Sequence, residues 1–336
     1  MKKETLEDIA KITGFSKTTI SRVLNGKGEE FRISSGTANR ILQIARDINY
    51  KPNLIAQTLR KKSGNTIGLA VPHLSNPFFA SLASTISIEA KKNDFMVMLF
   101  DTQEDTKLEE NAIDAMIDYH VDGIIIVPCG EQPNRLEDVS KSIPVILVDR
   151  YFKNSFLPYV STNNYDGAFN GMRMLLNSGH REILCISGPI VSVTTQERVK
   201  GCHNAVDEFN PHANLQVYGN EFSIQNGYVE TKMALLRNPI PTAIFTLSNT
   251  ILLGAIKALN EQGVKVPDDV SLITFDDSLS LDFMNPPITR VAQPIQSMGI
   301  AAIKLLTTCI RESKVFHSKM LMTPSIIVRD SIKILL

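Results

Sequence analysis

The chain has 336 residues, 43% of them hydrophobic, and its 35 Lys or Arg are balanced by 35 Asp or Glu. That apolar content excludes a disordered chain, and no apolar run approaches the length of a membrane span. The four cysteines, Cys129, Cys185, Cys202 and Cys309, lie far apart with no C-x-x-C, which excludes a small disulfide-stapled domain and reads as buried thiols in a reducing compartment.

The neutral total hides an asymmetry. Residues 1–63 carry thirteen Lys or Arg against six Asp or Glu, a net +7, so the remaining 273 residues carry −7. A basic head on an acidic body is the footprint of nucleic-acid binding, and such binding weakens steeply with salt.

In chain order, Leu6, Ile9 and Ala10 form an i, i+3, i+4 stripe on a first helix. Gly14 supplies a sharp turn, and Ser16 caps a second helix whose Ile20, Val23 and Leu24 face inward. Lys17, Thr18, Ser21, Arg22 and Asn25 are left outside, a set able to enter a major groove. A polar stripe is more often only a solvated face, but here turn, cap and both apolar faces agree on a helix-turn-helix.

Thr5-Leu6, Asp8-Ile9-Ala10, Gly14-Phe15-Ser16 and Thr19-Ile20-Ser21-Arg22-Val23-Leu24-Asn25 resemble the amino-terminal signature of LacI-type (LacI/GalR) transcriptional regulators. The resemblance implies a homodimer that binds a pseudo-palindromic operator and responds to a small molecule. On it, Lys17, Thr18 and Arg22 touch base edges, with Arg22 the guanine reader by bidentate contact. Thr5, Ser16, Thr19, Ser21, Asn25, Tyr50 and Asn53 hold phosphates and set register.

A loop at 26–33, a few residues longer than in many relatives, precedes a third helix capped by Ser34 or Ser35, with Ala38, Ile41, Leu42, Ala45 and Ile48 as its buried stripe. This completes a helix-turn-helix domain over residues 1–50. Residues 51–63 follow as a linker, in which Tyr50, Pro52, Asn53, Ala56 and Leu59 match the family's hinge-helix pattern. Read as a residue alone, Leu59 is equally a helix leucine facing the body. The resemblance makes it a wedge that enters the minor groove and bends the duplex.

From residue 64 to 336 the pattern changes. Short apolar runs at 66–72, 95–101, 123–128 and 144–149, then at 182–187, 215–218, 243–247 and 270–275, suit strands buried on both faces of parallel sheets. Helix-length amphipathic stretches separate them, near 78–93 and 105–119 for example. The rhythm occurs twice, which predicts two doubly wound α/β lobes.

This part resembles the periplasmic sugar-binding fold fused to LacI-type heads, through Asn76-Pro77-Phe78-Phe79, Asp122-Gly123-Ile124-Ile125, Arg198-Val-Lys-Gly201, Phe275-Asp276-Asp277 and Pro286-Pro287-Ile288-Thr289. It implies three crossings between lobes, near 162–164, 290–293 and 323–326. Lobe 1 then holds about 64–162 and 291–323, and lobe 2 about 163–290 and 324–336.

Ligands of open α/β sheets bind beyond the carboxyl ends of strands. Asp149, Asn249 and Asp276 follow predicted strands and Arg198 opens a helix, in positions that match the family's ligand-binding pattern. Their carboxylates, amide and guanidinium pair well with vicinal hydroxyls. Phe78 and Phe222 read equally as core or as flat faces for a sugar ring, and Asn163 falls at a crossing. Phe79 reads as core and Asp277 as a helix cap. The family's usual Asn-Asp is Asn249-Thr250 here, one carboxylate fewer beside the pocket. The expected effector is a sugar or sugar acid.

No G-x-S-x-G, H-E-x-x-H or P-loop is present, so no catalytic residue, metal or cofactor is expected. The absence of an apolar run near residue 1 predicts a cytoplasmic protein without membrane association. The resulting expectation is a DNA-binding regulator, a repressor of carbohydrate-use genes. Two alternatives stand beside it: a small-molecule binding protein without regulatory DNA binding, and an α/β enzyme, which would need a glycine-rich fingerprint that Pro72-His-Leu-Ser-Asn-Pro77 does not supply.

Overall fold

The computed structural model describes residues 5–50, 64–237, 239–312, 314 and 316–335. The chain divides into two units, residues 1–64 and residues 65–336. The predicted hinge segment 51–63, with Asn53 and Leu59, lies outside the described residues.

Among its described residues, the first unit holds three helices: α1 (Leu6–Thr13), α2 (Lys17–Leu24) and α3 (Ser35–Asp47). Thr5 and Asp8 close a capping box on α1, so both ends of that pair satisfy backbone donors that the first turn leaves open. Gly14 ends α1 at φ 76°, a left-handed conformation that a side chain would strain. Ser16 caps α2 and Ser34 caps α3. Ile9, Ile20, Val23, Ile41 and Ala45 form the buried core, with Leu6, Ala10, Leu24, Ala38, Leu42 and Ile48 packed against it. A core this small fixes the helices by shape and leaves the outer side of α2 uncovered.

The second unit contains two six-stranded sheets. The first has strands β1 (Thr66–Val71), β2 (Met96–Asp101), β3 (Gly123–Ile126), β4 (Val145–Val148), β5 (Tyr159–Thr162) and β11 (Lys319–Met322), in the order β11-β5-β4-β3-β1-β2, all parallel. It is flanked by α4 (Pro77–Lys92), α5 (Thr106–Asp118), α6 (Asn134–Ser140) and α11 (Ile295–Glu312). The second has β6 (Glu182–Ile186), β7 (Asn214–Tyr218), β8 (Ala243–Thr246), β9 (Ser271–Phe275), β10 (Thr289–Ala292) and β12 (Ser325–Ile327), ordered β12-β10-β9-β8-β6-β7. Its pairs are parallel except β10 with β12. Helices α7 (Asn164–Asn177), α8 (Val193–Phe209), α9 (Ile224–Leu235) and α10 (Asn249–Glu261) cover it.

Strands β1, β3, β4, β8 and β9 are almost wholly buried, as near-continuous runs of Ile, Leu and Val require when helices cover both faces. The chain passes between lobes after Thr162, after Ala292 and after Met322. Because β10 pairs with β9 through Val291, the sheet of lobe 2 keeps residues 291 and 292, and lobe 1 resumes only at α11.

Among the described residues, no helix is long and apolar enough to cross a membrane, and no cluster of His, Cys, Asp or Glu is placed to hold a metal ion. All four cysteines are free thiols.

Candidate nucleic-acid interface and inter-lobe cleft

Lys17, Thr18 and Arg22 share one side of α2, spanned by i, i+1 and i+5. Lys17 is exposed and pairs with Glu7 at 3.0 Å. Both partners stand in water, so the pair is weak. Thr18 is exposed, and the guanidinium of Arg22 lies 3.7 Å from the ring centroid of Phe31.

The predicted phosphate-holding residues already serve the local fold. Thr5 Oγ1 donates to Asp8 Oδ2 at 2.6 Å. Ser16 Oγ accepts from the Thr19 N–H at 3.1 Å, and the two hydroxyls are 2.9 Å apart. Asn25 Nδ2 donates to the Ser21 carbonyl at 2.7 Å. Tyr50 packs against the head core. These bonds fix short polar groups locally on the head.

In the second unit, strand ends from both lobes face a cavity of about 420 Å³, within the usual range for small-molecule sites. Asp149 follows β4 and Asp276 follows β9. Both are buried, and both have positive φ, 65° and 77°, a region that costs a non-glycine residue energy and persists where the surroundings enforce it. Asp276 is fully engaged. Its Oδ1 accepts from Gln293 Nε2 at 2.6 Å and its Oδ2 from the Asn249 N–H at 3.1 Å. Thr162 Oγ1 in turn donates to Gln293 Oε1 at 2.6 Å, which carries the chain of bonds to the last strand of lobe 1 before the first crossing. Asp149 differs: its Oδ1 is buried with no partner. Burial pushes its carboxyl up to about 6, against the pull of Arg198 and Arg150.

Arg198, buried on α8, donates through Nε to Asn164 Oδ1 at 2.7 Å and through one terminal nitrogen to the Leu247 carbonyl at 2.6 Å. Its guanidinium stacks on Phe275 at 3.7 Å. It is thus a fixed cation between Asp149 and Asp276. Phe78 and Phe222 both line the cavity. Phe78 is also core, so the two readings of it coexist. Phe222 lies over Gly188, where an added Cβ would meet its ring at 2.4 Å, so this glycine is what lets the aromatic face approach.

Two predicted residues sit elsewhere. Asn163 caps α7 through the Asp166 N–H at 3.1 Å and does not line the cavity. The reason is local, since an Asn three residues before an acidic residue at a helix start satisfies that start. Asn249 is buried behind the wall, with its Oδ1 unpartnered, and Thr250 lines the cavity instead. Asp277 is no cap: it accepts from Arg290 Nε at 2.6 Å. Phe79 is core and also lines the cavity.

Residues not singled out from sequence complete the wall. Arg150 is 7% exposed and forks onto Glu104 at 2.7 and 2.6 Å. Its adjacency to Asp149 was the one available signal. Cys129, near this pair, has its thiol pushed up to about 12 by burial, which keeps it protonated and unreactive.

The whole chain has known counterparts. A family model described as bacterial regulatory proteins, lacI family, matches residues 5–53. One described as periplasmic binding proteins and sugar binding domain of LacI family matches residues 64–326. The chain is 32% identical over 334 residues to the HTH-type transcriptional regulator DegA of Bacillus subtilis (strain 168), covering 98% of each. It is 28% identical over 333 residues to the ribose operon repressor of Haemophilus influenzae, again covering 98% of each. The lac repressor dimer bound to operator and the anti-inducer ONPF has the same fold, at TM-score 0.88 and 24% identity over 98% of this chain and 99% of that one.

Proposed function

The chain belongs to the LacI family of DNA-binding transcriptional regulators and is not an enzyme, and from that premise we propose that it represses carbohydrate-use genes under the control of a sugar or sugar acid. The repressor binds a pseudo-palindromic operator in the cytoplasm as a homodimer, with Lys17, Thr18 and Arg22 toward the bases and the predicted hinge, including Leu59, in the minor groove.

The observation that carries the effector reading is the pairing of Asp149 with its surroundings. A buried carboxylate oxygen without a partner, under the charge of a held guanidinium and in a cavity also lined by Phe78 and Phe222, is what a hydroxyl-rich ring would complete. The ribose operon repressor among the relatives supports a carbohydrate. The dimer is supported by edge strand β2, where Met96 is 69% exposed, and by Phe283, 80% exposed in lobe 2. Bare apolar edges of this kind favour association.

A thermal-shift screen of sugars and sugar acids tests the effector. The reading predicts a carbohydrate that raises the midpoint of the wild type and not of Asp149→Asn. If only non-carbohydrate ligands raise it, the carbohydrate reading fails.

A further inference from the structure

We propose that Phe31 is a positioning residue that holds Arg22 in its base-reading orientation, so that the loop at 26–33 is part of the specificity apparatus of the head. The inference rests on the base-reading role proposed for Arg22.

Three observations carry it. The first is the contact itself. The guanidinium carbon of Arg22 is 3.7 Å from the Phe31 centroid. An edge-on guanidinium would bring a nitrogen about one C–N bond closer still, so the arrangement is face-on. A face-on cation uses the π surface of the ring and leaves its in-plane N–H fork open, and that fork is what makes a bidentate contact to a guanine edge. Among the described residues, the guanidinium of Arg22 makes no hydrogen bond or ion pair, so its donors are available.

The second is that Phe31 serves nothing else. It is 40% exposed and is not part of the head core, whereas Ile33 two residues later packs against that core. An exposed aromatic on a short loop has no packing reason to be there.

The third is that the loop is built. Lys27 N–H donates to the Arg22 carbonyl at 2.9 Å, Arg32 N–H to the Glu29 carbonyl at 3.0 Å, and Ile33 N–H to the Gly28 carbonyl at 2.8 Å. The first of these bonds ties the loop directly to the residue that Phe31 covers. A long arginine side chain otherwise loses its rotamer freedom only on meeting DNA. Stacking on a fixed ring removes part of that loss beforehand.

The test uses the full-length protein and selection of sites from a randomised duplex library, which needs no prior operator. Wild type, Arg22→Ala, Phe31→Leu and Phe31→Tyr are compared. Arg22→Ala is expected to flatten the preference at one symmetry-related pair of base positions. Phe31→Leu is expected to weaken preference at that same pair by about 2- to 5-fold, with non-specific affinity unchanged, and Phe31→Tyr to restore it. In DNA-free protein, the Arg22 side-chain NMR signals are expected to carry a ring-current shift that Phe31→Leu removes and Phe31→Tyr keeps. Unchanged selection by Phe31→Leu while Arg22→Ala relaxes it overturns the role of Phe31 alone. Unchanged selection by Arg22→Ala overturns the base-reading premise and this inference with it. Loss spread evenly over all base positions in Phe31→Leu also overturns it, since that marks a purely structural residue.

Discussion

Asp149 and Asp276 occupy corresponding places on opposite lobes: each directly follows an inner strand, each has left-handed backbone, and Arg198 lies between their charges. They differ in satisfaction. Asp276 accepts from Gln293 and from the Asn249 backbone, while one oxygen of Asp149 has no partner. The first anchors the cleft wall to a crossing segment, and the second is the one to which the proposed effector is assigned.

This difference gives Asp149 an opposite effect on stability and on binding. Its folded-state value is raised to about 6, mainly by burial. A raised value means that its favourable contribution is complete below the unfolded carboxylate range and lost as pH rises through 6. At pH 7.5 the buried charge therefore costs stability. Asp149→Asn should be more stable than wild type there, by about 1–3 kcal/mol, with the gap closing toward pH 4. Urea denaturation of both proteins across this range checks it, and a gap that does not change with pH contradicts it. Effector affinity should show the reverse preference, falling as pH drops through 6 because a hydroxyl donates best to the ionised form.

Glu104 neutralises Arg150 through two hydrogen bonds, and Arg150 is the more deeply buried partner. Glu104→Gln removes the counter-charge that is hydrogen-bonded to that cation and leaves it the through-space attraction of Asp149. Since Glu104 itself is a third exposed, the loss is expected at the lower end for such pairs, about 1–3 kcal/mol. Adding Arg150→Met should recover part of it. Denaturation midpoints of the single and double variants measure this, and a double variant less stable than Glu104→Gln would rule out the pairing as the cause.

Gly188→Ala should act on binding through Phe222. The new methyl would overlap the ring and force it from its place in the cleft. Stability should fall by roughly 1 kcal/mol, as for modest overpacking, while affinity for the sugar found by thermal shift drops several-fold. Calorimetric titration reads the affinity. Wild-type affinity in the alanine variant would show that Phe222 does not touch the effector.

Much of this fold was legible because burial leaves period. The i, i+3, i+4 stripes of the head and the apolar runs of the inner strands are direct consequences of one-faced and two-faced burial. The capping serines were legible for an equally local reason. The cleft wall was legible only in part. Asp149 and Asp276 follow from strand ends and Arg198 from the family pattern at a helix start, but Glu104 meets Arg150 across 46 residues of sequence and Gln293 meets Asp276 across 17, with no periodicity to announce either pair. Asn163 was misplaced because proximity to a crossing outweighed its cap spacing to Asp166. Phe31 carried no signal in the sequence, since its partner Arg22 lies on another element and the loop has no repeating pattern.

The proposed regulation couples DNA reading by the basic helical head to filling of the cleft by a ligand. The most direct measurement is the affinity of the full-length protein for its own promoter region, titrated against salt with and without the cleft ligand. The expected result is tight binding that weakens steeply and linearly in log salt, that loses sequence preference in Arg22→Ala, and that shifts by about tenfold or more when the ligand saturates. Failure to bind at low ionic strength in either state, or binding indifferent to the ligand, would contradict it.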